Sequence, residues 1–201
     1  MNDGSKKPFV IGLTGSIGSG CTTLSCALED NKFKRVSISS FIKKKFEELY
    51  PGKEPTPSCG PDWRAELQEI GNRGRKGEFT DNGKPKPDYW IEQSLKDMRE
   101  ENQIVIVGIR NVGEVEALRQ RFGQGQFWLV AVHADYETRW KRVEHSGSYL
   151  SEDIFKRDDR RDSSEDDQYG QSVQRCVYEA DYIEVVPCVV EGCEKAMATP
   201  A

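Results

Sequence analysis

The stretch Phe9-Val10-Ile11-Gly12-Leu13-Thr14-Gly15-Ser16-Ile17-Gly18-Ser19-Gly20-Cys21-Thr22-Thr23 decides the fold. An apolar run enters a glycine-rich turn, and a helical pattern follows. The spacing Gly15-x4-Gly20-x-Thr22 is that of a phosphate-binding P-loop, whose backbone N–H groups converge on an anion at the start of a helix. Gly15, Gly18 and Gly20 give the turn its freedom and let phosphates approach closely. The cradle is read as Gly15, Ser16, Gly18, Ser19, Gly20, Cys21, Thr22 and Thr23. The Thr22 hydroxyl stands where the ligand to Mg²⁺, bound with a nucleoside triphosphate, is expected. Cys21 occupies the position that normally carries lysine. The chain keeps the cradle and lacks the cation that sits among the phosphates, a loss that bears most on chemistry, because that cation stabilises the transferring phosphoryl group. A thiol at a helix N-terminus is expected to be acidified, which would permit a redox role; the simpler role of Cys21 is to fill space.

Outward from this turn, apolar runs alternate with helical patterns, the mark of βαβ units and a parallel sheet. Strands are expected near 9–14, 35–38, 103–107, 127–133 and 182–186, and helices near 21–30, 40–49, 62–72, 88–100, 113–122, 135–144 and 168–180. Ile104–Val107 and Phe127–Val132 are nearly all apolar, as in central strands covered on both faces. Trp63, Leu67 and Ile70 fall at helical spacing and are read as core. Pro51 to Pro61 holds four prolines and two glycines and is read as a loop; Gly74 to Asp88 is read as a mobile insertion. Residues 1–8 and 187–201 are read as polar tails around one domain, 9–186, the latter a tail or a linker to something further.

With 201 residues, 36% hydrophobic content and 31% charged residues, the chain reads as one soluble α/β domain. Its net charge of -5 argues against a general nucleic-acid surface. No apolar stretch approaches membrane-spanning length, and Met1 to Lys7 contain no signal core, so a cytoplasmic location is expected. Six cysteines without a CxxC pairing are read as free thiols. Cys188-x4-Cys193 has no second ligand pair nearby and is not read as a zinc site.

Gly108-Ile109-Arg110-Asn111 follows a buried strand directly, and ligands in open parallel sheets bind beyond the carboxyl ends of strands. Arg110 is therefore a candidate phosphate contact, its structural alternative being a salt bridge to Glu114 or Glu116. Lys156 to Asp162 forms a dense charged cluster, read either as a solvated face or as a lid whose Arg157, Arg160 and Arg161 neutralise phosphates. Acids from Asp158 to Asp167 are placed to hold these arginines when no ligand is bound. His133 ends a strand and is read as a packed histidine rather than a crevice residue.

Together these segments resemble the P-loop nucleoside and nucleotide kinase group, including dephospho-CoA kinase and deoxynucleotide monophosphate kinase. The resemblance is carried by Gly12–Gly20, Leu67–Arg73, Gly108–Glu116 and Ala134–Arg139. Gly18–Thr23, Arg161–Glu165, Tyr169–Gln171 and Cys176–Asp181 are further similar to the N-terminal kinase-like domain of bacterial dCTP deaminases that act in anti-phage defence. The resemblance implies a three-layer P-loop NTPase fold with a five-stranded parallel sheet and a lid-like charged segment. It implies catalytic roles for Arg110, Arg157 and Arg161, and substrate-binding roles for Arg64, Asn72 and Asn111. It also implies a deaminase domain or another protein as partner.

Three departures from an active kinase accompany it. Cys21 replaces the loop lysine, Val107 stands where a strand-end aspartate near Mg²⁺ belongs, and Ser37-Ile38-Ser39-Ser40 lacks the aspartate that serves as base in dephospho-CoA kinases. Phosphoryl transfer depends on positioning and electrostatics, so three neutral positions favour a nucleotide-binding module that reports to a partner over an active small-molecule kinase. Zinc deaminases need H-x-E and P-C-x-x-C, and neither is present, so the chain is not a deaminase on its own.

Overall fold

A computed structural model describes residues 8–56, 62–98, 100–163 and 167–186. The two tail readings, apart from Pro8, lie outside these residues, as do Cys59, Cys188 and Cys193.

The chain folds as β1 (Phe9–Thr14), α1 (Cys21–Asp30), β2 (Lys34–Ser37), α2 (Ile38–Leu49), α3 (Trp63–Arg75), α4 (Tyr89–Ser94), β3 (Gln103–Val107), α5 (Val112–Phe122), β4 (Phe127–His133), α6 (Tyr136–His145), α7 (Glu152–Asp162), α8 (Val173–Tyr178) and β5 (Tyr182–Val185). The five strands form one parallel sheet in the order β2-β3-β1-β4-β5. Strand β1 is central, with Leu13 in register with Val107 on one side and Val130 on the other. The turn after β1 therefore opens between the ends of β3 and β4, at the point where the strand order reverses.

Alternation along the strands divides the core. Ile104 and Ile106 face a cluster with Ile70, Trp90, Leu118 and Cys176. Val105 and Val107 face the other way, with Leu13, Val132 and the α1 residues Leu24 and Leu28. Helices thus cover both faces, which explains why β1, β3 and β4 read as continuous apolar runs. Edge strand β5 differs: Tyr182, Ile183 and Val185 are exposed.

Four helices depart from the sequence expectation. Helix α7 forms where the sequence shows only a charged cluster. Its inward face is Phe155, Asp158 and Asp162, at i, i+3 and i+7, so two of three buried positions are carboxylates and the apolar period is hidden. The helices expected at 88–100 and 168–180 are shorter, 89–94 and 173–178. Gly74 and Arg75 belong to α3 rather than to a mobile insertion. The loop that follows is tied down: Lys86 N–H donates to the Arg75 carbonyl at 2.8 Å, and Phe79 lies against Tyr89 and Trp90. Trp90 Nε1 donates to the Gly71 carbonyl at 2.8 Å.

Candidate functional site

The Thr14 hydroxyl donates to the Ile109 carbonyl at 2.9 Å, fixing the start of the phosphate loop beside the turn after β3. Gly18 and Gly20 have φ of 79° and 112°, in the left-handed region that favours glycine. Gly15 is required for space: a Cβ there would lie 2.4 Å from the Val132 carbonyl oxygen and 2.6 Å from Ser19 Oγ. Helix α1 begins at Cys21 with neither a side-chain cap nor an acidic residue in its first turn. By contrast, α5 and α6 are capped by Asn111 and Asp135 and carry Glu114 and Glu137. Helix α1 thus places neither a capping side chain nor a carboxylate of its own at its N-terminus, where the dipole favours an anion. Thr22 and Thr23 are exposed at that turn.

Two arginines of α6 hold the loop from behind. Arg139 Nη1 donates to the Ile17 carbonyl at 3.0 Å and the same guanidinium is bidentate to Asp159 at 2.6 and 2.9 Å. Arg142 Nη1 donates to the carbonyls of Gly18 and Ser19 at 3.1 and 2.8 Å, and Nη2 donates to the Val186 carbonyl at 2.6 Å. Arg142 was not identified from sequence, although its i, i+3 spacing with Arg139 on a helix after a strand was a readable signal.

Cys21 packs against the apolar cluster of Leu13, Val105, Val107 and Val132. Its thiol lies 3.5 Å from Ser19 Oγ. The acidity expected of a helix N-terminal thiol is corrected here: burial pushes the Cys21 thiol up, outweighing Ser19 and Arg110, which lower it. The space-filling role stands. Ser37 and Ser39 hydroxyls share a hydrogen bond of 2.9 Å at the end of β2, beside Gly108.

Arg110 projects from the turn after β3 and forms an ion pair with Asp162 of α7, not with Glu114 or Glu116. Asp162 is fully buried and also accepts from Gln68 Nε2 at 2.5 Å. Burial pushes the Asp162 carboxyl up, with Arg110 and Gln68 acting against it. Arg161 donates to Gln68 Oε1 at 3.1 Å, and Arg157 donates to Asp62 at 2.8 Å and Asp158 at 3.1 Å. Arg110 and Arg161 thus meet through Asp162 and Gln68, while Arg157 points to Asp62 and Arg160 is exposed. Of the arginines that acids 158–167 are expected to hold, Arg157 pairs with Asp158, whereas Arg161 bonds Gln68 and Asp162 holds Arg110. Asp162 and Gln68 were missed in the sequence because a buried latch of polar residues has no periodic signature.

Arg64 lies with its guanidinium 4.5 Å from the ring centres of both Trp63 and Tyr149. Its Nε, the Tyr149 hydroxyl and Asp158 Oδ2 are buried without hydrogen-bond partners, around a small cavity lined also by Ser148, Leu150 and Ile154. Burial lowers the Arg64 pKa. Asn72 and Asn111 are occupied by protein partners. Asn72 Oδ1 accepts from Arg75 at 3.2 Å. Asn111 Nδ2 donates to the Gln168 and Gly170 carbonyls at 2.9 and 2.7 Å while Oδ1 accepts from Gly113 N–H at 2.8 Å. His133 is exposed rather than packed. Among the described residues no group of three or more metal-ligating side chains converges, and no helix is long and apolar enough to cross a membrane.

No family model matches the chain. It is 36% identical over 70 residues to the UPF0200 protein MK0400 of Methanopyrus kandleri, which is 35% of this chain and 36% of that protein, and 43% identical over 44 residues to a UPF0200 protein of Methanosarcina acetivorans. The matches thus span about a third or less of those relatives. Two solved structures share its fold over most of their length. TT1252 from Thermus thermophilus gives a TM-score of 0.53 at 17% identity over 92% of both chains. Shikimate kinase from Acinetobacter baumannii, in complex with shikimate, gives 0.52 at 13% identity over 90% of this chain and 86% of that one. The sheet order, the glycine loop and these likenesses give the chain a P-loop kinase-like α/β fold.

Proposed function

We propose that residues 9–186 bind a nucleoside triphosphate and report its presence to a partner, with weak or no phosphoryl transfer. One observation carries this reading: the cradle is complete, whereas Cys21 and Val107, two positions that hold charge in an active site of this kind, are built into one apolar cluster. The triphosphate fits the uncapped start of α1 and the glycine loop. Mg²⁺ fits less well. Thr22 would offer a hydroxyl, but the strand end offers Val107 in place of a carboxylate, so an ion would be held chiefly by the phosphates themselves. The similarity of Gly18–Thr23 and Tyr169–Gln171 to the kinase-like domain of anti-phage dCTP deaminases points to a deaminase domain or another protein as the receiver, and to a cytoplasmic setting.

The alternative is a small-molecule kinase acting on a nucleotide or a CoA precursor. The buried Arg64 Nε favours it, because an unsatisfied guanidinium donor suits an acceptor's anionic group.

Thermal stability against a panel of ribo- and deoxynucleotides, with and without Mg²⁺, separates the two. A ligand at 100 times its Kd adds about 2.7 kcal/mol, a readily measured rise in Tm. A selective shift with a triphosphate and no diphosphate formed in the same tube supports sensing. Diphosphate formation that requires an added acceptor supports the kinase. No shift with any nucleotide removes both.

A further inference from the structure

We infer that Arg142 passes occupancy of the phosphate loop to the chain where it leaves β5 at Val186; this rests on the triphosphate-binding reading above. The loop and the exit of β5 touch twice. One guanidinium bonds the Gly18 and Ser19 carbonyls through Nη1 and the Val186 carbonyl through Nη2. Directly, the Val186 side chain lies 3.1–3.4 Å from the position a Gly20 Cβ would take.

Peptide planarity gives this contact its meaning. The Gly18 carbonyl and the Ser19 N–H belong to one rigid unit, and the Ser19 carbonyl and the Gly20 N–H to the next. The Ser19 N–H donates to the Ser16 carbonyl at 3.0 Å. A phosphate that recruits these N–H groups must turn or polarise the same two units whose carbonyls Arg142 holds. The guanidinium is a planar fork, so Nη1 and Nη2 move together. A shift at Gly18 and Ser19 is carried to the Val186 carbonyl.

Neighbouring elements make this route specific. Arg139 also bonds the loop, but its bidentate pair with Asp159 ties it to α7 rather than to the sheet edge. Among the described residues strand β5 is joined to the sheet along one side, by β4, and Tyr182, Ile183 and Val185 are exposed. An edge strand with so little burial is the part of the sheet that a change at one carbonyl can loosen or tighten. A sensing domain needs its output where the chain continues, and Arg142 joins the loop to that point.

The test is hydrogen exchange at 182–186 together with calorimetric binding, on the full chain and on Arg142→Met, which keeps the aliphatic stem and removes the donors. Arg142→Lys, which keeps the charge and loses the fork, carries the same test if the Met variant does not fold. The probes are the common ribo- and deoxynucleoside triphosphates with Mg²⁺, each variant measured at saturation. In the parent chain a bound triphosphate is expected to change exchange at 182–186 at least threefold. In the variant, whatever its affinity, 182–186 no longer responds at a triphosphate concentration that still slows exchange at 16–22; a variant that binds no triphosphate makes Arg142 part of the phosphate site itself and overturns the inference. An equal response at 182–186 in the variant overturns the inference. So does binding to the parent chain without any response there, which leaves the triphosphate reading intact. No binding by any triphosphate overturns both.

Discussion

Cys21 packs against the apolar cluster that contains Val107. In a working phosphoryl-transfer site these two positions carry opposite charges that face the phosphates and the metal. Here they are joined in one apolar patch with Leu13 and Val132, so each loss accommodates the other. A lysine at position 21 has a long enough stem to leave that patch and reach the phosphate side. Its charge near a phosphate is worth about 1 to 4 kcal/mol in watery to partly shielded surroundings. Cys21→Lys is therefore expected to tighten triphosphate binding roughly fivefold or more by calorimetry, with no turnover, because Val107 and Ser39 stay neutral. Unchanged or weaker affinity would mean that position 21 does not face a bound phosphate.

The buried thiols set a limit at alkaline pH. Cys176 is fully buried, and burial followed by the charge of Glu114 pushes its thiol from 9.0 up to about 12. The sign follows from linkage. Below the ordinary thiol value both folded and unfolded chains hold the proton, and the site does not affect stability. Above it the unfolded chain loses the proton first, so stability falls from about pH 9 toward about pH 12. At about pH 10.5 the Cys176 share is about 2 kcal/mol. Urea midpoints at pH 8 and pH 10.5 measure the fall, and Cys176→Ala is expected to make it shallower. A fall of equal size in that variant assigns it to other groups.

Arg75 and Glu114 form an ion pair of 2.9 Å with side chains 1% and 0% exposed. The Glu114 carboxylate also accepts from the N–H groups of Arg110 and Asn111 at 2.9 and 3.2 Å, so it shapes the turn that presents Arg110. Removing one partner of a buried pair leaves an uncompensated charge and costs about 3 to 5 kcal/mol. Arg75→Met is expected to lose that much by denaturant unfolding, whereas Arg73→Met, whose pair with Glu78 is partly exposed, loses under about 1 kcal/mol. Equal losses would contradict the buried pair.

The contrast between these two arginines shows where the sequence is readable. Strands β1, β3 and β4 are legible because a sheet covered on both faces demands apolar runs, β2 and β5 only from their places between helical patterns, and the cradle is legible because glycines at fixed spacing have few other uses. Arg75, Glu114, Asp158 and Asp162 are not. Each resembles a solvated surface charge in a polar segment, and only contacts between distant elements bury it. Helix α7 is hidden for the same reason, since two of its three core positions are carboxylates. Arg110 is found from its place after β3, but its partner Asp162 depends on how α7 folds over the crevice.

Asp162 is fully buried and holds both Arg110 and Gln68, so it latches α7 to the turn after β3 and to α3. A phosphate group offered to Arg110 must compete with this carboxylate. Asp162→Asn keeps the shape and the Gln68 contact while releasing the charge, leaving Arg110 available. Two effects are expected together. Unfolding free energy falls, by about 1 to 3 kcal/mol, because hydrogen bonds to charged groups are being weakened. Affinity for a nucleotide that reaches Arg110 rises, because the latch no longer competes. Arg110→Met gives the loss of stability without the gain in affinity, and the double variant shows whether the two side chains act as a unit. Weaker nucleotide binding in Asp162→Asn, at unchanged loop geometry, would mean that the closed latch helps to build the site rather than to guard it.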